Sequence, residues 1–221
     1  MNDLILYKND ILSGKIHETL EDPVSQGFYE LSDYISPTLH KIGVTPNIVT
    51  LIRLIIGICA FTIAFENKQY KLASILFIIS YFMDCLDGNL ARKFNMTSDL
   101  GSIFDFVASI IFMGLSIYYI SIKIDPDYDW LIIVLAILLI LSLIQIGCEE
   151  RYLHLMNDDS NNDSNNNSND QTISISCLCP DKLVKSDDLD ELMELSRLFG
   201  IGSYILLITI IIWNFDYFEN K

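Results

Sequence analysis

Basic residues are scarce in this sequence: 14 Lys and Arg stand against 29 Asp and Glu, for a formal charge of −15. No basic stripe with interleaved aromatics occurs, so a nucleic-acid partner has no support. The acids lie mostly in the ends and loops, where solvation accounts for them. Cysteine is sparse and scattered, at 59, 85, 148, 177 and 179. That spacing makes no disulfide framework, and reduced thiols are expected. The alternatives are metal binding or acylation at Cys177-Leu-Cys179-Pro and a juxtamembrane palmitate on Cys148. The opening MNDLILYKND carries acids early and no long apolar core, unlike a cleavable signal peptide. No internal repeat is found.

Apolar residues are abundant. They make up 51% of the chain, with 12 Phe and 11 Tyr, and the mean hydropathy is +0.37. They gather into runs at Ile48 to Phe65, Leu72 to Leu90, Ile103 to Ile122, Trp130 to Gly147 and Leu198 to Phe215. Each is close to the roughly 17–25 residues that a helix needs to cross a bilayer. The expected fold is therefore all-α, a polytopic membrane bundle of about five helices with room for a sixth. The fifth run is short unless Trp213 and Phe215 sit at the interface.

Four regions follow from composition. Residues 1–41 form a polar segment in which Phe28, Leu31, Ile35 and Leu39 recur at helical spacing, with Pro37 expected to interrupt the run. A helix lying on the membrane surface and a short soluble helix packed on the loops fit it equally well. Residues 42–148 form the membrane core, and 149–197 a polar loop. That loop holds NDDSNNDSNNNSNDQ, Asn157 to Gln171, expected to be disordered, and a short amphipathic helix over Leu189, Leu192, Met193 and Leu195. Residues 198–221 hold the last span and a tail. With five spans, the side of the N-terminus collects Lys8, Lys15, Lys41, Arg92, Lys93, Arg151, Lys182, Lys185 and Arg197, while the other side holds Lys68, Lys71, Lys123 and Lys221. The bias points to a multi-pass protein with a cytoplasmic N-terminus. The sequons at Asn95, Asn162 and Asn166 would then be out of reach of glycosylation.

Within the second and third runs stand three aspartates. A carboxylate near the bilayer centre costs about 2.5–3.5 kcal/mol on insertion scales, so such residues usually face a cavity and mark function. Asp84 and Asp87 share one helical face with Gly88 and Ala91, whose small size permits close approach of a helix or ligand. Asp87 lies about 7.5 Å below Arg92, and Asp105 about 6 Å below Gly101, if both segments are helical. Two antiparallel helices joined by the short turn would set the acids level. Three clustered anions need compensation, and an all-oxygen set suits a hard divalent cation, Mg²⁺ or Mn²⁺. A bland alternative is that Asp87 pairs with Arg92 and Asp105 favours a helix dipole.

The stretch Asp84-x2-Asp87-Gly88-x2-Ala91-Arg92-x8-Gly101-x3-Asp105 resembles the signature of the class-I CDP-alcohol phosphatidyltransferases, D-x2-D-G-x2-A-R-x8-G-x3-D-x3-D. Seven of its eight fixed positions match with the right gaps. Upstream, Thr45-Pro46-Asn47-x2-Thr50-x2-Arg53 is similar to the start of the family's first span. The resemblance implies an integral-membrane enzyme of phospholipid biosynthesis that moves a substituted phosphate from a CDP-linked donor to an alcohol, releasing CMP. It further implies Asp84, Asp87 and Asp105 as ligands of two divalent ions, with the active site cytoplasmic. Asn47, Thr50, Gly88, Ala91, Arg92 and Gly101 would line the substrate site, with Arg53 able to complete it or to snorkel to the headgroups. The family often has six spans and is commonly dimeric, so a homodimer is expected.

The eighth position is an aspartate in the family and Ser109 here. The resemblance assigns that aspartate a metal contact and the role of general base, and a neutral hydroxyl is a poor proton acceptor near neutral pH. His40 and His154 are the other candidate bases, and both are better explained as loop or interface histidines. A second reading is thus a catalytically dead homologue that binds CDP-lipid or metal as a membrane partner or sensor. A cation carrier is a third, which lacks the broken helices and repeated halves of many transporters.

Overall fold

A computed structural model describes residues 20–160, 175–179, 194 and 196–219. The expected helix over Leu189 to Leu195, most of the Asn/Asp/Ser tract and the sequons at Asn162 and Asn166 lie outside the described residues, as does the segment before Leu20. Among the described residues, six helices of more than one turn in length are present, α1 (Pro23–Lys41), α2 (Pro46–Phe65), α3 (Tyr70–Lys93), α4 (Asp99–Lys123), α5 (Asp129–Ser160) and α6 (Ile201–Trp213), with a short turn, α7 (Phe215–Phe218), after them. Among the described residues there is no strand, only an isolated bridge between Ile124 and Glu219. The all-α bundle is as the apolar runs require.

Four segments are long and apolar enough to cross a membrane: Pro46–Phe65, Tyr70–Lys93, Ile103–Lys123 and Pro126–Tyr152. The fifth run is short, as its length suggested: 13 of its residues form α6, giving roughly 20 Å of helix against a hydrocarbon core of about 30 Å. Its beginning is lost to a 3₁₀ turn at Arg197–Phe199, followed by Gly200 in extended conformation. The cause is Asp22, which is 1% exposed. Its carboxylate accepts from Val24 N at 2.8 Å and Ser25 N at 3.0 Å, capping α1, and from Ser203 N at 2.9 Å in the first turn of α6. One carboxylate therefore satisfies orphan donors of two helices. A Cβ on Gly200 would stand 2.6 Å, and one on Gly202 2.7 Å, from Asp22 atoms, so both positions must be bare.

Helix α3 is the hub, packing on α1, α2 and α6. Small residues set its approach to α2: Gly57, Ala60 and Ala64 on one side face Ala73 and Ser80 on the other, and all are buried. Phe77, Leu135, Ile212 and Phe215 fill the core, each under 2% exposed. Away from it, Ile133, Ile137 and Ile140 on α5 are each more than half exposed, as a lipid-facing side should be.

Helix α1 corrects an expectation, because Pro37 does not interrupt it. A mid-helix proline frees the carbonyl four residues earlier. That carbonyl, Asp33 O, accepts from Lys93 Nζ at 3.3 Å, and the same amine meets the Asp33 carboxylate at 2.8 Å. The deepest side of α1 is polar: Ser25, Tyr29, Ser32 and Ser36 are buried, while Leu31 and Tyr34 are exposed. Ser36 donates to Asn89 Oδ1 at 2.7 Å and Asn89 Nδ2 to Asp33 at 3.1 Å, fastening α1 across α3.

The cysteines differ as well. Cys148 and Cys179 form a disulfide, both nearly fully buried, so neither is a free thiol open to acylation. Of the remainder, Cys85 is buried, and Cys59 and Cys177 are exposed. A bridge across 31 residues of sequence has no local spacing signal. Helix α5 runs on to Ser160 and so carries the first residues of the Asn/Asp/Ser tract as helix.

Candidate active site

The α3–α4 turn sets the site. Asn95 takes a left-handed conformation, φ 52°, which asparagine tolerates better than most residues. Met96 N then reaches back to Ala91 O at 2.8 Å, closing α3 in a Schellman pattern. Ser98 caps α4 by accepting from Gly101 N at 3.2 Å. A Cβ on Gly101 would come within 2.7 Å of that hydroxyl, which gives the glycine a local reason to be there. The result is a tight antiparallel hairpin, and the acids of its two arms meet.

One ligand oxygen from each of Asp84, Asp87 and Asp105 lies within 4.8 Å of the others. Asp87 is the deepest, 4% exposed, and accepts from Thr50 Oγ1 at 2.6 Å. The side chains of Asp84 and Asp105 are 18% and 36% exposed, so the cluster opens toward Asp105. Three oxygen donors gathered this closely suit a hard divalent cation, which takes carboxylate oxygens as ligands.

Arg53 occupies a more central place than its sequence position suggests. It is 6% exposed, and its Nη1 pairs with both Asp84 and Asp105. Its Nη2 donates to Ser109 Oγ at 2.7 Å. Ser109 in turn donates to Asp105 O at 3.0 Å. The one proton of the hydroxyl is thus committed. Snorkelling to the headgroups is overturned for Arg53: its head lies within the bundle, because two carboxylates repay its desolvation there. The signal was present as Asn47, Thr50 and Arg53 at three-residue steps on one face of α2.

The remaining expected residues gather around this cluster at different distances. Gly88 makes room for Arg92, whose Nη1 would stand 3.1 Å from an added Cβ. Arg92 lies over the Tyr29 ring, 5.3 Å from its centroid, a cation–π contact. Burial pushes the Tyr29 phenol well above its ordinary range, with nearby Cys85 acting the same way. Ala91 contributes its carbonyl to the turn. Asn47 is exposed at the start of α2, and its Oδ1 would be 3.9 Å from a Cβ on Gly101. His40 is stacked on Phe94, centroids 3.9 Å apart, as an interface histidine; the side chain of His154 lies outside the described residues. Tyr29, Asn89 and Ser36 were not anticipated. Beside Arg53 a small cleft runs inward, floored by Tyr81, Phe112, Met113 and Ile205.

The description CDP-alcohol phosphatidyltransferase matches residues 43–157, from the end of α1 through α5. The chain belongs to the CDP-alcohol phosphatidyltransferase family. It is similar to the "Probable CDP-diacylglycerol--inositol 3-phosphatidyltransferase 2" of Arabidopsis thaliana, 42% identical over 62 residues, which are 28% of this chain and 27% of that protein. It is also similar to the "CDP-diacylglycerol--glycerol-3-phosphate 3-phosphatidyltransferase" of Rickettsia felis, 30% identical over 94 residues, 41% of this chain and 51% of that one. A third relative is the "Archaetidylinositol phosphate synthase" of Pyrococcus horikoshii, 37% identical over 71 residues, 32% of this chain and 37% of that protein. The chain thus spans about a quarter to a half of the length of these curated relatives. No solved structure matches it.

Proposed function

We propose that this chain is a membrane phosphotransferase of phospholipid biosynthesis, dependent on Mg²⁺ or Mn²⁺. In the reaction, an alcohol oxygen attacks the phosphorus that carries the donor's alcohol group, the bond to the bridging oxygen breaks, and CMP leaves. The hydroxyl proton passes to a base. The observation that carries this reading is the convergence of Asp84, Asp87 and Asp105 from two helices at one end of the bundle. A divalent cation there would be held by these three carboxylates and would draw charge from the donor's phosphates. Thr50 positions Asp87 through its hydrogen bond. Arg92, Asn47, Gly88, Ala91 and Gly101 are assigned to the rim where nucleotide and phosphate would lie. CDP-diacylglycerol is the favoured donor because the names of the Arabidopsis and Rickettsia relatives contain it. Inositol, glycerol 3-phosphate and inositol phosphate are the first acceptors to test.

The Lys and Arg bias of the loops supports a cytoplasmic site, reached from the side of the N-terminus. Against it stands the Cys148–Cys179 disulfide toward the same end of the bundle, since such bonds are uncommon in reducing compartments. A homodimer belongs to this reading through the family resemblance.

One observation favours a second reading, a catalytically dead homologue that binds CDP-lipid. Ser109 stands where the base is expected, and its proton is engaged by the Asp105 carbonyl. General-base catalysis is typically worth 10²–10⁴-fold, so turnover is slow under the first reading and nil under the second. The test is CMP release by purified chain from CDP-diacylglycerol with each acceptor, in Mn²⁺. Turnover that Asp87→Asn abolishes supports the enzyme. No turnover in wild type, with CMP release gained in Ser109→Asp, supports the dead homologue.

A further inference from the structure

Arg92 is a cation without an anion. Among the described residues no carboxylate pairs with it, and Asp87, the partner its spacing offered, is bonded to Thr50 instead. Its Nη2 is buried and has no hydrogen-bond partner there. A buried guanidinium nitrogen without an acceptor is costly, and its N–H groups match the oxygens of a phosphate. Two other contacts hold the side chain. Gly88, one turn earlier on α3, leaves room for Nη1, which would stand 3.1 Å from an added Cβ. The Tyr29 ring, 9% exposed, lies with its centroid 5.3 Å from the guanidinium carbon. Neither support is an oxygen of the acidic cluster, so an ion entering there does not compete for it.

We infer that Tyr29 is a positioning residue for the nucleotide: its ring face fixes the Arg92 guanidinium so that Nη2 is presented to a phosphate of the bound donor. The inference rests on the CDP-binding reading above and gives a role in it to α1, which carries none of the motif. Tyr29 stands before residues 43–157, over which the family description matches. The ring is itself well anchored, because α1 is tied to α3 on both sides of it in sequence. Before it, the hydroxyls of Ser25 and Tyr81 are 2.7 Å apart. After it, Ser36 donates to Asn89 at 2.7 Å and Lys93 meets Asp33 at 2.8 Å. Ser25, Tyr29, Ser32 and Ser36 form the buried face of α1, so the ring cannot turn away from α3 without the whole helix rolling. A ring held this way pre-organises the arginine before the nucleotide arrives, which lowers the cost of binding.

The test is calorimetric titration of CDP into the purified full-length chain in Mn²⁺, with thermal unfolding of each variant alongside. Tyr29→Phe keeps the ring and should bind within about twofold of wild type, whereas Tyr29→Leu removes it and should bind about tenfold more weakly. Phenylalanine carrying successive ring fluorines at position 29 withdraws charge from the ring face at nearly constant shape. CDP binding should weaken stepwise along that series, a response that a packing role would not give, and the series serves even where Tyr29→Leu fails to fold. The readout is binding, so it is independent of whether Ser109 permits turnover. A loss in Tyr29→Phe as large as in Tyr29→Leu, or a flat response to fluorination in folded protein, would overturn the inference and leave the CDP-binding reading standing. No CDP binding by wild type in Mn²⁺ would overturn that reading, and the inference with it.

Discussion

At one end of the bundle the Arg53 side chain is 7% exposed and meets two carboxylates and a hydroxyl. At the other end Lys68, just past the C-terminus of the same helix, is 61% exposed and meets Glu219 at 2.8 Å. The pairings are formally alike and physically different. Arg53 has lost its water and depends on its partners, so the cluster is held by mutual necessity. Lys68 keeps its water, and its pair merely trims the edge where Ile124 and Asp125 meet the end of the chain. The first arrangement costs desolvation and is worth keeping only where a concentrated charge has a use. This is why the acidic end, and not the Lys68 end, is where chemistry is expected.

Replacement at the two ends should therefore produce effects of different size. The largest is expected for Asp87→Asn, which removes the deepest ligand: CMP release should fall to background while the circular dichroism of the helices is unchanged. Next comes Arg53→Gln. Leaving two of the carboxylates without their cation should cost about 3 kcal/mol, the low end for breaking a buried pair because Asp105 is a third exposed. Thermal unfolding in detergent with a chelator would show it, and added Mn²⁺ should restore much of the loss. An Arg53→Gln protein as stable as wild type in chelator would erase the contrast between the ends. Asp22→Ala tests a structural carboxylate that belongs to neither pair. It removes caps from α1 and α6 together, so about 2 kcal/mol should be lost, roughly one per cap.

The smallest effect belongs to Lys68→Ala, expected to cost no more than about 1 kcal/mol and to shrink with added salt. Its pH dependence has a definite sign. Burial pushes the Glu219 carboxyl up, but hydrogen bonds from Lys68 and Tyr70 and the charges of Lys68 and Lys123 outweigh it and hold the group below its usual range. A depressed carboxyl stabilises the fold above its unfolded pKa, and the contribution is lost as pH falls through the lower folded value. The stability gap between wild type and Lys68→Ala should accordingly close on acidification. A gap that widened in acid would contradict this account.

The acidic residues were legible from sequence because helical spacing alone sets their depth, and a short turn leaves two helices little freedom in register. The apolar runs likewise marked four of the helices, since 20 residues of Ile and Leu have few other destinations. What escaped was governed by partners distant in the chain. Pro37 reads as a break because the sequence around it does not show Lys93, 60 residues on from Asp33, taking the freed carbonyl. The shortening of the last apolar run depends on Asp22, 181 residues before Ser203. Arg53 was visible as a candidate, but its position amid the carboxylates depends on how closely Gly57 and the α2 alanines let α3 approach. The Cys148–Cys179 bond is of the same kind.

The central claim is that these carboxylates gather a divalent ion for a cytidine-linked donor, and it is tested most directly by calorimetric binding of CDP to the purified chain. The account predicts binding in Mn²⁺, none in chelator, and none in Asp87→Asn under either condition. CDP binding that is indifferent to Mn²⁺ and survives Asp87→Asn, or its absence from wild type with Mn²⁺ present, would contradict it.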